Sequence, residues 1–317
     1  MSLRIALITA IALAASAPSW ACDLCAVYAA SAAQGHAQGF YAAVTEQFTR
    51  YDQLREQGHR IAGDSGQFLE SSVTQLIAGY GFSDRLSMQF ALPYIERRFR
   101  RPEGGAIDEG TVNGFGDATL IASYTPYRWM KESSTFAVNM FGGVKFATGN
   151  SDRLAEELAE TEPSPGEPAN GIHGHDLAIG SGSTDFLFGA SALGRAQRWL
   201  ATADLQYALR RRGDFDYRFG DDLQWRAGFG RYLLLAEERT LALVAAAEGE
   251  YKRYDDLNGE RLGDTHCGGW MLGPQLQYTA EGRYSAELGA VFPVQQFNSE
   301  IQTTAGYRIR AAIGYRF

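Results

Sequence analysis

The sequence predicts an all-β protein: a transmembrane, antiparallel, up-and-down β-barrel of about 12 strands with both termini in the periplasm. Three observations predict it. The closing stretch AGYRIRAAIGYRF puts Tyr307, Ile309, Ala311, Ile313, Tyr315 and Phe317 on one parity, and Arg308, Arg310, Ala312, Gly314 and Arg316 on the other. A strand sends successive side chains to opposite faces, so one face is apolar and aromatic-ended, as lipid requires, and the other is cationic. Similar alternating runs recur along the whole chain, and the connections between them alternate short and long, as periplasmic turns and outer loops do.

The first element is a targeting signal. Arg4 precedes an apolar run from Ile5 to Ala15, and small residues lead to Ser19, Trp20 and Ala21. This is the n-region, h-region and cleavage site of a secretory signal, with removal expected after Ala21. The apolar run is too short to span a membrane as a helix. Cleavage would leave Cys22 as the first residue, but Ser19 and Trp20 match a lipidation signal poorly. Residues 22–38, CDLCAVYAASAAQGHAQ, are expected to form a short periplasmic segment or a small plug at the barrel mouth. The barrel itself is expected to occupy residues 39–317.

Strands are expected at 40–50, 68–80, 85–97, 116–127, 135–147, 184–193, 199–210, 222–234, 240–252, 270–279, 284–293 and 305–317. Leu86, Met88, Phe90, Leu92 and Tyr94 alternate with Ser87 and Gln89; Leu241, Leu243, Ala245, Ala247 and Tyr251 alternate with Glu248, Glu250 and Lys252. Each run is long enough to cross a bilayer core at barrel tilt, which takes roughly 9–11 residues. The long connections fall at 51–67, 98–115, 148–183, 211–221, 253–269 and 294–304. Composition agrees. Mean hydropathy is −0.24, too low for a helical bundle but compatible with strands that average their two faces. The net charge of −8 offers no basic surface for nucleic acid.

Four groups of residues are candidates for function. Asp204, Arg210, Arg226, Glu248, Glu250, Glu287, Arg308 and Arg310 fall on inward parities and are expected to line a pore. They could equally pair across a narrow interior, since isolated buried charge is costly. His173, His175 and Asp176 form an H-x-H-D run in the longest loop and could ligate Zn²⁺ or Cu²⁺, with His266 and Cys267 as possible additions. That loop is expected either to fold inward as a constriction or to sit outside as a lid on the cell surface. Cys22 and Cys25 have the spacing of a redox disulfide or a thiolate pair, and Ala26 in place of His excludes a haem attachment site. No catalytic constellation is expected. A phospholipase-type barrel needs a Ser–His pair on its outer wall, and here the histidines fall in loops.

Three stretches, GFGDATL at 114–120, KFATGNSD at 145–152 and GSGSTDFLFG at 180–189, together with the aromatic terminus, resemble an outer-membrane family named after the meta-pathway of phenol degradation. Ala147 stands where that family usually has Pro. The resemblance covers roughly residues 40–317 and not the CDLC segment. It implies a barrel that passes aromatic or other hydrophobic compounds, and it transfers no binding residues. The expected function is therefore a channel or facilitator for small solutes in the bacterial outer membrane. Its expected partners are outer-membrane lipid, the solute, and the barrel-assembly machinery through the strand ending at Phe317. The alternatives are a metal- or redox-linked barrel using the CxxC and HxHD segments, and a structural surface barrel without transport.

Overall fold

The computed structural model describes residues 38–62, 65–159 and 168–317. The expected signal peptide at 1–21, and Cys22 and Cys25 after it, lie outside the described residues.

The first half of the described chain contains β1 (Gly39–Glu56), β2 (His59–Arg60), β3 (Phe68–Gly81), β4 (Leu86–Glu103), β5 (Ala106–Phe115), β6 (Thr119–Lys131), β7 (Ser134–Lys145) and β8 (Asp185–Ala196). The second half contains β9 (Trp199–Leu209), β10 (Tyr217–Arg218), β11 (Asp222–Leu235), β12 (Arg239–Lys252), β13 (Asp256–Leu257), β14 (Glu260–Arg261), β15 (Cys267–Ala280), β16 (Tyr284–Asn298) and β17 (Ile301–Arg316). Twelve of these, in the order β17-β16-β15-β12-β11-β9-β8-β7-β6-β4-β3-β1, form the barrel wall, and antiparallel pairing of β17 with β1 closes it. Closure leaves no unpaired sheet edge in lipid, where each unsatisfied backbone group would cost several kcal/mol.

The alternation read from the sequence is the division between wall faces. Leu86, Met88 and Phe90 are 44%, 40% and 43% exposed, while Ser87, Gln89 and Ala91 between them are 7%, 4% and 3% exposed. The same outward set includes Leu243, Leu276, Leu288 and Ile313. Aromatic rings gather at the end of the barrel that carries the short turns. Phe40 meets Tyr80 with centroids 4.7 Å apart, Tyr80 meets Phe82 at 5.1 Å, and Tyr315 meets both Tyr284 and Phe317 at 4.9 Å. Such amphipathic rings belong at a membrane interface. The Phe317 amide donates to the Phe40 carbonyl at 3.0 Å, so β1 begins and β17 ends at this same end.

One outward side chain breaks the apolar belt. Glu46 lies on the outer face of β1, with Ala311 and Thr74 as its register partners. Val44, Leu76, Ile309 and Ile313 around it are exposed and apolar. Its carboxylate accepts hydrogen bonds from Ser72 Oγ at 2.6 Å and Thr74 Oγ1 at 2.5 Å, both on β3. A carboxylate in hydrocarbon is expensive, and these two donors satisfy one oxygen each.

The structure departs from the expected strand limits at both ends: at the short-turn end β6 runs on to Lys131 and β8 to Ala196, and the larger extensions lie at the long-loop end. There β1 runs on to Glu56, β4 to Glu103 and β16 to Asn298. β4 and β5 form a hairpin turning at Gly104 and Gly105, with φ of 54° and 78°, the left-handed region that glycine enters without Cβ strain. The connection expected at 294–304 contracts to a tight turn between β16 and β17.

Candidate functional site

The candidate site is the lumen, and the long connection at 148–183 defines it by folding inward rather than capping the barrel from outside. Of the two positions expected for this loop, the inward one is observed and the lid on the cell surface is not: His175, Leu177 and Ala178 are 4%, 0% and 0% exposed.

Both ends of this inward loop are anchored by one buried ionic network. Asp117, in the turn before β6, accepts the amides of Thr148 at 3.2 Å and Gly149 at 2.9 Å on one oxygen. Its other oxygen accepts the Ser181 amide at 2.9 Å and hydroxyl at 2.8 Å, and pairs with Lys145 at the end of β7. Lys145 also lies 3.0 Å from Asp185, which takes Arg210 at 3.0 Å; Arg210 in turn reaches Asp222 at 2.7 Å. Five charges thus alternate in sign along a buried chain, which is the condition under which charge is tolerated away from water. Burial raises the Asp117 pKa, but Lys145 and the converging donors outweigh it and leave the carboxyl below its ordinary range. The three stretches singled out in the sequence meet here, contributing Asp117, Lys145 and Ser181 with Asp185.

Between its anchored ends the loop packs as a plug. Ile172 and Leu177 form a core with wall residues Tyr51, Leu69, Phe99, Met271, Val291 and Ala305. Leu154, from a 3₁₀ helix at Asp152–Leu158, packs with Ala178, Tyr217 and Phe219. Polar latches complete the seat. Arg97 on β4, 2% exposed, donates to the Asp176 and Ala178 carbonyls at 2.6 and 2.7 Å. Arg101, four residues further and on the same inward face, pairs with Glu156 at 2.8 Å and Asp108 at 3.1 Å. Gln67 accepts the Gly171 amide at 2.9 Å and donates to the Ala169 carbonyl at 2.8 Å. These carbonyls have no helical or ladder partner of their own, so wall side chains supply one. Arg97, Arg101 and Gln67 were not anticipated as functional. The inward parity of Ser87, Gln89 and Ala91, carried along β4, was the available signal for the two arginines.

The candidate metal ligands sit inside this plug. The His173 and His175 rings stack with centroids 5.7 Å apart. His175 Nδ1 lies 3.0 Å from Glu157 Oε1 and its Nε2 lies 3.5 Å from Asp176, whereas His173 Nε2 faces Asp264 at 3.5 Å. The two imidazoles thus face separate carboxylates. Among the described residues no three His, Cys, Asp or Glu side chains converge as a metal would require. His266 lies apart from them, stacked on Tyr254 at 4.7 Å, with Nδ1 2.6 Å from the Lys252 carbonyl; Cys267 beside it forms no disulfide among the described residues. Burial lowers the His175 pKa, but Asp176 and Glu157 outweigh it and hold the group well above its ordinary value.

Below the plug lies a cavity of about 200 Å³, reaching down to Ser87 and Arg316 toward the short-turn end. Asp204, Arg226, Glu248, Glu250, Glu287, Arg308 and Arg310 line it, as the inward parities implied. Arg210 does not: it is enclosed in the Asp185–Asp222 network at the loop end, because β9 ends at Leu209 and Arg210 turns toward those carboxylates. Glu248 on β12 is the hub of the lumenal charges. It pairs across the interior with Arg308 on β17 at 2.9 Å and also with Arg310, while Arg226 on β11 approaches within 3.8 Å. Arg308 Nε further donates to Thr49 Oγ1 at 3.0 Å, and Arg310 Nε to Gln47 Oε1 at 2.7 Å.

No protein-family model and no curated protein sequence matches the chain. Among solved structures, the chain is similar to an outer membrane channel from Pseudomonas putida F1, with a TM-score of 0.60 at 14% identity, covering 92% of this chain and 100% of that one. The β-domain of the Bordetella autotransporter BrkA follows at a TM-score of 0.46 and 12% identity, covering 89% and 100%. The first likeness shows a shared fold. A closed barrel of twelve strands with an apolar, aromatic-edged outer belt is an outer-membrane barrel, and the chain resides in the bacterial outer membrane.

Proposed function

We propose that the protein is a passive outer-membrane channel for a small solute, with the inward loop as its restriction. In this reading the long-loop end faces the cell exterior and both termini lie in the periplasm. The observation that carries it is the cavity of about 200 Å³ between plug and short-turn end, walled by polar and charged side chains together with apolar and aromatic ones such as Ile121, Phe141 and Trp225, from strands all round the barrel. A barrel built only as a surface scaffold would have no reason to keep amides and charges facing an unfilled interior. The similar Pseudomonas putida structure is described as a channel, which supports the reading without assigning a solute. The family resemblance in the three motif stretches implies aromatic or hydrophobic compounds, and the lumen walls bear on that class directly.

The test is reconstitution of the purified full chain into liposomes with a broad solute panel. Flux above that of empty vesicles is expected for at least one small solute, and its absence throughout would sink the proposal. A structural barrel without transport is a second reading, favoured by how completely Ile172 and Leu177 are buried in the mouth, at 1% and 0% exposure. Loosening the plug separates the two: a channel should gain flux, a scaffold should not.

A further inference from the structure

We propose that ions cross this lumen along one side of it, and that Glu248 with Arg226, Arg308 and Arg310 sets which sign of ion passes. The inference rests on the channel reading.

Its basis is where the charges stand around the ring. The strands β9, β11, β12, β15, β16 and β17 follow one another in the wall. Asp204, Arg226, Glu248, Glu250 and Lys252 line the cavity from the first three of them, and Glu287, Arg308, Arg310 and Arg316 from the last two. The facing strands β1, β3, β4, β6, β7 and β8 line it with neutral side chains of both kinds, Val73, Ile121 and Phe141 beside Gln75, Gln89 and Asn139. The charged side chains on that half are engaged elsewhere: Arg97 donates to plug carbonyls, and Glu46 lies on the outer face with Ser72 and Thr74. A neutral wall offers an ion little in exchange for its hydration, so ions keep to the charged half.

Totals do not decide the sign there, because both signs are present and Lys252 is already paired with Asp255 at 2.8 Å. The local arrangement does. Three guanidinium groups converge on one carboxylate: Glu248 pairs with Arg308 at 2.9 Å and with Arg310, and Arg226 stands 3.8 Å away. In the ring β12 and β17 are separated by β15 and β16, an arc of about 14 Å at the usual strand spacing. Glu248 and the two β17 arginines therefore meet by reaching over those strands into the lumen. The bar they form lies directly under the plug. Met271 is the register partner of Glu248 and Val291 that of Arg308, and both pack in one core with Ile172 and Leu177. An ion that passes the plug meets this bar next. Removing the Glu248 carboxylate leaves positive charge concentrated at a restriction, which draws anions.

The experiment is the reversal potential of planar bilayers holding the full chain in a KCl gradient, with heat-dependent gel mobility as the check on assembly. Glu248→Gln should raise the chloride-to-potassium permeability ratio at least about threefold over wild type. Arg310→Gln should lower it, and Glu248→Asp, which keeps the charge, should shift it less than Glu248→Gln. A bar that only braces the plug would alter stability and conductance without moving the ratio in opposite directions. If Glu248→Gln fails to assemble, Arg310→Gln carries the test, since it leaves Glu248 paired with Arg308. An unchanged ratio in assembled variants would overturn the proposal and leave the channel intact. If the wild type passes no current, the channel reading fails and this inference with it.

Discussion

Gly149 and Gly180 meet backbone to backbone where the inward loop leaves and rejoins the wall: a Cβ on Gly180 would lie 2.4 Å from the Gly149 carbonyl carbon. The Gly180 amide donates to the Asn150 carbonyl at 2.7 Å, fixing the crossing. Neither glycine has a positive φ, so closeness rather than conformation excludes a side chain. Gly180→Ala is expected to force the stems apart at a cost of about 1–3 kcal/mol. Solute flux should rise and the loop should become cleavable by added protease, while the barrel keeps its heat-dependent mobility.

Lys145 stands between Asp117 and Asp185, and removing it leaves two buried carboxylates facing each other. Lys145→Met should destabilise by roughly 3–5 kcal/mol, the usual cost of orphaning a buried charge. Adding Asp117→Asn to it should recover part of the loss. Urea unfolding midpoints in lipid vesicles measure both, and equal midpoints for the single and double variants would contradict the pairing.

Acid should act on the same anchor. The Asp117 carboxyl is held below its ordinary range, so its ionised form stabilises the folded loop. That contribution is present above the unfolded carboxyl pKa, about 3.9, and is lost as pH falls through the lower folded value. Protease cleavage of the loop should therefore increase on acidification below about pH 4, and less steeply in Asp117→Asn.

His175 has the opposite sign. Its pKa is raised well above the ordinary value, so its charged form stabilises the plug against Glu157 and Asp176. Stability is full below the unfolded imidazole pKa, about 6.5, and is lost as pH rises through the higher folded value. Alkaline conditions should loosen the plug and raise flux. In His175→Gln that pH dependence should disappear, and a persistent alkaline rise would assign it to another group.

Glu46 tests the outer wall. Ser72→Ala with Thr74→Val removes both hydroxyl donors from a carboxylate that faces lipid. The double change should destabilise by about 1–3 kcal/mol for an unsatisfied polar group, or more if charge persists. Glu46→Leu should be neutral or stabilising in the same unfolding assay.

The twelve wall strands were legible because a period of two shows wherever one face meets lipid and the other does not. Leu86 to Ala91 carries that contrast in every residue. The reading stopped short at the long-loop end: the expected strands ended at Arg50, Arg97 and Pro293, whereas β1, β4 and β16 run on to Glu56, Glu103 and Asn298 through residues that no polarity contrast announces as strand. The lumenal residues Glu248, Arg308 and Arg310 followed from parity, but parity assigns a face and not a partner. Arg210 shows the limit, since it lies one residue past β9 and turns into the Asp185–Asp222 network instead of the lumen.

By itself the sequence determined the barrel, its strand count and the charged interior, because each follows from local alternation against lipid and water. The tertiary structure decided what the lumen is. It brought Asp117, Lys145, Asp185, Arg210 and Asp222 into one network. It also turned the longest loop inward onto Arg97 and Arg101 and put His173 and His175 in its core. Those outcomes depend on contacts between residues far apart in the chain, made by closure of the ring, and no local period encodes which strands a closed ring sets face to face.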